Sequence, residues 1–144
     1  SEAEGLMQIM PATADDLGIE NRSDPEQSIK GGTEYLSQLY RNFEDVPDSL
    51  DRIKFTMASF NAGLGHVEDA QRLALKKGLK PDVWENNVEK MILALSYPKN
   101  FSDPVVKYGY VRGIEPFTYV GQIFERYGHY SQFIDRELSN FALN

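Results

Sequence analysis

The sequence predicts an all-α fold, and two observations carry that expectation. Nearly every stretch with a regular apolar spacing has the helical period, with hydrophobic residues three and four positions apart. These stretches are also punctuated as helices are, by proline-led starts and glycine stops. The 144 residues suit a single domain spanning 1–144, large enough to bury a core without disulfides or metals. No internal repeat, low-complexity segment or linker-like composition divides it.

The first element is the stretch Gly5-Leu6-Met7-Gln8-Ile9-Met10-Pro11-Ala12-Thr13-Ala14. Leu6, Met7, Ile9 and Met10 crowd around one polar residue, Gln8, which predicts a tight apolar segment presenting a single amide. Pro11 can open a short helix to Leu17, because its missing N–H would be unsatisfied there anyway, and Gly18 stops it. On chemistry alone, this is a buried loop whose glutamine satisfies backbone groups.

The next helix begins with Asp24 as N-cap, Pro25 at the first position and Gln27 at capping-box spacing. Ile29, Leu36, Leu39, Tyr40 and Phe43 form its apolar stripe. Gly31-Gly32 inside a helix costs about 1 kcal/mol each against alanine, so a close backbone or ligand is expected beside them. Glu44 to Asp48 reads as a loop around Pro47. A helix follows from Ser49 to Asn61 with Leu50, Ile53, Met57 and Phe60 on one side, stopped by Asn61-Ala62-Gly63-Leu64-Gly65.

Val67, Ala70, Leu73 and Ala74 mark a further helix that Gly78 ends. Pro81 to Glu85 predicts another start, with Asp82 and Glu85 at capping-box spacing and Val88, Met91, Ile92 and Leu95 along the apolar face. Residues 97–107 are the one long irregular stretch, with Pro98 and Pro104, and long ordered loops are often functional. Tyr108 to Pro116 leads into a last strong helix with Tyr119, Val120, Ile123, Phe124 and Tyr127 inward and Gly128 as its stop. The tail from Ser131 to Phe141 is weakly helical, and either packs on the body or frays.

Composition removes several function classes. A net charge of −7 argues against a phosphate-binding surface, hence against nucleic acid, and against electrostatic attachment to anionic lipid. The absence of cysteine excludes disulfides, thiolate metal sites and cysteine nucleophiles. There is no apolar run of membrane-spanning length. The chain starts at Ser1 without Met, which reads as a segment of a longer precursor, with targeting and any membrane anchoring carried by other parts of it.

His66 and His129 are far apart and lie in no ligand-spaced cluster, so neither a metal nor another cofactor is expected. Neither a GxSxG nor a phosphate-cradling GxxxxGK[ST] pattern occurs. What remains is carboxylate chemistry in an aromatic-rich cleft. Eight Tyr and eight Phe are present, several beside glycine turns, and sugar rings offer apolar faces that suit them. By periodicity alone, Tyr119, Ile123 and Phe124 read mainly as core.

The ten consecutive residues Gly5–Ala14 resemble the signature block of the soluble-lysozyme-like lytic transglycosylases, the goose-type-lysozyme-related glycoside hydrolase family 23. Met57-Ala58-Ser59-Phe60-Asn61-Ala62-Gly63 is similar to that family's Ala-x-Tyr-Asn-Ala-Gly block, with Phe60 in place of the usual Tyr. Tyr108 to Gly113 with Glu115 and Tyr119-Val120 resembles its C-terminal block, and Lys76 to Trp84 is similar to the matching region of the membrane-bound transglycosylase F subgroup. The blocks run in the right order across about residues 5–130.

The resemblance implies a compact, lysozyme-like multi-helix domain of the bacterial envelope, in the periplasm or at the outer membrane, acting on peptidoglycan glycan strands. It implies cleavage of the β-1,4 bond between N-acetylmuramic acid and N-acetylglucosamine without water, leaving a 1,6-anhydro ring. One Glu serves first as acid and then as base, which desolvation permits by raising its pKa. An intramolecular hydroxyl replaces the water or second carboxylate of ordinary glycosidases.

In the family that Glu lies in a Glu-Ser pair upstream of Gly-Leu-Met-Gln. Glu2 and Glu4 do not occupy that place, so the catalytic residue is expected upstream of Ser1 and residues 1–144 alone are expected to be inactive. By the same resemblance, Gln8 and Met10 line the subsite next to the scissile bond, Asn61 shapes or contacts the cleft, and Glu115 with Tyr119 closes it. Phe60 lacks the hydroxyl thought to orient the acid and keeps only stacking. A non-catalytic glycan-binding module, a lysozyme-type muramidase and a helical adaptor stay open as alternatives.

Overall fold

Every regular element in the described residues of the computed structural model, 25–127 and 136–140, is helical. Gly5–Ala14, with Gln8 and Met10, the expected Pro11–Leu17 helix and the Gly128 stop lie outside the described residues. Helix α1 spans Pro25–Asn42, starting at the proline that the sequence marks. Gly32, Leu36, Leu39 and Tyr40 are buried along it. Arg52 of the next helix closes its end, donating from Nε to the Tyr40 carbonyl at 2.9 Å while its guanidinium lies 3.5 Å over the Tyr40 ring.

Helix α2, Ser49–Ala62, is the central element and packs against α1, α3 (Leu64–Lys76) and α6 (Ile114–Tyr127). Asp48 caps it, its carboxylate accepting the Asp51 N–H at 2.9 Å. The single stripe read from the sequence is too narrow. Leu50 stays 40% exposed, whereas Phe55, Thr56, Ala58 and Ser59 are buried together with Ile53 and Phe60. A helix enclosed on several sides buries more than one face, which a one-stripe pattern does not reveal.

The stop expected over Asn61–Gly65 contracts to one residue. Gly63, at φ 105° and ψ 138°, ends α2 and starts α3. That backbone conformation is one that a side chain rarely tolerates. Gly65 lies within α3.

The start expected at Pro81 is also corrected. Glu85 at ψ 127° and Asn86 at φ 61° break the helical path, and α4 runs Glu89–Ala94. The Asp82–Glu85 capping box does not form; the Glu89 carboxylate accepts the Asn86 N–H instead. Tertiary anchoring wins over local capping here. Trp84 is 3% exposed, sits edge-on to Phe55 at 5.6 Å, and donates its backbone N–H to Asp51 Oδ1 at 3.1 Å.

Within the irregular stretch 97–107, Pro98–Phe101 forms one short helix, α5. Helix α4 and the approach to α6 come unusually close at Gly113, where a Cβ would stand 1.8 Å from the Ile92 carbonyl oxygen. Of the tail expected over 131–141, the described residues 136–140 pack on the body. Residues 136–140 are helical, Leu138 is 7% exposed among Leu36, Leu39, Tyr40, Ile53 and Phe60, and Ser139 Oγ lies 3.2 Å from the Tyr40 hydroxyl. A second cluster, built on Phe55, Val67, Leu73, Trp84, Val88 and Ile92, fills the other side of α2.

Candidate functional site

The last turn of α2 carries Phe60 and Asn61 to the Gly63 corner, and α6 brings Glu115 and Tyr119 along one of its faces, four residues apart. Phe60 is 6% exposed and belongs to the α1–α2 cluster, with the Tyr35 ring 5.9 Å away at 42°. Tyr119 packs against that same cluster, as does Leu64 just past the corner. Phe60 and Tyr35 thus form one aromatic pair within this cluster, and Tyr119 borders the same cluster. Burial pushes the Tyr119 phenol above its ordinary pKa, keeping it neutral and able to donate.

Phe60 therefore supports the corner from behind and offers little surface to a ligand. Asn61 is half-buried at the helix end. Glu115 is exposed, and accepts from Arg112 Nη1 at 3.0 Å. Gln8 and Met10 fall outside the described residues, so the structure does not place them against these groups. Among the described residues, no group of three or more His, Asp or Glu side chains is arranged to hold a metal ion.

His66 stands in the first turn of α3, with its Cδ2 3.8 Å from where a Gly63 Cβ would be. Its Nδ1 is buried and has no hydrogen-bond partner among the described residues. Desolvation lowers its pKa, opposed in part by the charge of Asp69. The Tyr108 ring meets it edge-on at 6.4 Å.

Sequence reasoning missed Asp69. Its side chain is wholly buried, and its two carboxylate oxygens accept the backbone N–H groups of Lys107 and Tyr108, each at 2.8 Å, while it also pairs with Arg72. Arg72 Nε in turn donates to the Val105 carbonyl at 3.1 Å, and Lys76 Nζ reaches Asp103 at 2.8 Å. Helix α3 is thereby a rail to which residues 103–108 are tied. The available signal was an acid within an apolar helical row, one residue before Ala70, with an arginine three positions on.

Residues 1–83 match the profile of the transglycosylase SLT domain. The chain is 47% identical over 124 residues to a membrane-bound lytic murein transglycosylase F of Maricaulis maris, covering 84% of this chain and 26% of that protein. It is 46% identical over 124 residues to the protein of that name from Shewanella halifaxensis, covering 85% of this chain and 25% of that protein. For the one from Pseudomonas fluorescens the identity is 42% over 123 residues, with coverages of 85% and 25%. The chain thus spans about a quarter of the length of these relatives.

Proposed function

Because the chain belongs to the transglycosylase SLT domain family, we propose that residues 1–144 form a peptidoglycan lytic transglycosylase domain of the bacterial envelope. The family match over residues 1–83 is the observation that carries this reading. Its substrate is the glycan strand, cut at the β-1,4 bond between N-acetylmuramic acid and N-acetylglucosamine.

In this reading a carboxylic acid ahead of Gly-Leu-Met-Gln gives its proton to the glycosidic oxygen as the C1–O bond breaks. The C6 hydroxyl of the muramic acid closes on C1, and its proton returns to the carboxylate, so the acid is regenerated and no water is consumed. Gln8 and Met10 hold the sugar beside the scissile bond, and Asn61 contacts it from the end of α2. Glu115 accepts a hydroxyl or amide N–H of the strand, with Tyr119 beside it on α6. Phe60 keeps the corner in place through Tyr35 and the cluster it belongs to rather than through a hydrogen bond of its own.

The test is digestion of purified sacculi by the natural protein as its gene encodes it, with the released muropeptides read by mass spectrometry. Anhydro-muropeptides support the proposal; reducing-end products assign a muramidase instead. One observation favours a second reading, a glycan-binding module without cleavage. Phe60 has no hydroxyl with which to orient an acid. That reading gains if chitooligosaccharides bind while sacculi stay intact.

A further inference from the structure

Tyr108 and Tyr110 are alternate residues that each touch a neighbour, Gly65 and His66 for Tyr108 and Phe101 for Tyr110, while much of each stays exposed. Tyr108 is 60% exposed and Tyr110 55% exposed. Gly109 between them is half-buried, and after them Val111 and Gly113 turn inward while Arg112 and Glu115 turn outward. Tyr108, Tyr110 and Arg112 therefore follow one another at the surface and end on the ion pair with Glu115. Four residues of extended chain cover no more than about 14 Å, so the strip is continuous with the Glu115 end of the candidate site.

The strip is held rigidly. Asp69, wholly buried, fixes the Lys107 and Tyr108 amides, and the Val111 N–H donates to the Leu95 carbonyl at 3.4 Å. The Tyr108 ring lies so close over Gly65 that a Cβ there would stand 2.8 Å from it. Tyr110 meets Phe101 edge-on at 5.9 Å. The buried carboxylate is satisfied by these two amides and by Arg72, so the backbone at 107–108 is held to α3. Rings fixed in advance lose little freedom when a ligand arrives.

We infer that Tyr108, Tyr110 and Arg112 form a saccharide-stacking strip that lengthens the glycan site beyond Glu115, giving the domain a preference for long strands over short ones. The inference rests on the glycan reading proposed above. The chemistry fits that occupant: open phenol faces suit the apolar faces of pyranose rings, and the guanidinium suits their hydroxyl and acetamido oxygens. A nucleic acid, which would also stack, is disfavoured by the net charge of −7.

The test is calorimetric titration of the chain with the trimer and the hexamer of β-1,4-linked N-acetylglucosamine. The hexamer is expected to bind more tightly than the trimer. Tyr110→Ala and Tyr108→Ala each remove about tenfold from hexamer affinity and leave the trimer unchanged, whereas Tyr110→Phe, which keeps the ring, retains the wild-type preference. Hexamer-specific NMR shifts at the Arg112 amide of the wild type provide a readout that does not depend on any variant folding. Trimer binding with a hexamer preference that is absent, or unmoved by both alanine variants, overturns the strip and leaves the glycan reading standing. If the wild type binds neither oligomer, the glycan reading fails and the strip falls with it.

Discussion

Asp69 and His66, three residues apart on α3, show how much a single buried polar side chain can decide. Asp69 offers its carboxylate to two backbone amides from residues nearly forty positions later. Asp69→Ala removes both acceptors and strands Arg72, so it is expected to cost about 2–4 kcal/mol, read as a lower denaturant midpoint with unchanged slope. His66 works in the opposite sense, being kept neutral by desolvation. A base whose pKa falls on folding binds its proton first in the unfolded chain. Stability therefore drops as pH falls below 6.5, the unfolded value, and the loss levels off once the folded histidine is also protonated. Thermal melts between pH 7.5 and 5 are expected to show that loss, and His66→Gln to reduce it. Both roles were hard to read from sequence, since a lone acid or histidine on a helix is usually a solvated residue.

Among the elements, α2 and α6 were legible and the segment between α3 and α4 was not. The apolar period and the glycine stop locate the end of α2 at Asn61, within one residue of its end at Ala62. At Pro81 the local capping signal pointed to a helix, but a buried Trp84 tied to Asp51 and Phe55 holds the backbone elsewhere. Local propensity is worth a kilocalorie or so, less than burial of an indole. The join of α4 to α6 depends on Gly113, where a side chain would meet main chain rather than a flexible neighbour. Gly113→Ala is expected to destabilise by about 3 kcal/mol or more, or to yield no folded protein, by circular dichroism.

At the scale of the whole molecule, the two clusters on either side of α2 set which residues belong to the body. Leu138, far along the chain, completes the cluster that backs Phe60. Leu138→Ala is expected to cost about 2–3 kcal/mol in calorimetric unfolding, as a large-to-small change in a core does, whereas a frayed tail would show almost no effect. The sequence by itself determined the helical class, the places where most helices start and stop, and the blocks that mark the family, because these depend on local spacing and on unbroken runs of residues. Only the tertiary structure decided that Phe60 is a support packed against Tyr35 in the cluster beside α1, that Gly63 alone joins two helices, and that a buried Asp69 ties down the strip leading to Glu115. Those outcomes come from contacts between residues distant in the chain, whose energies outweigh local preference and leave no periodic trace in the order of the amino acids.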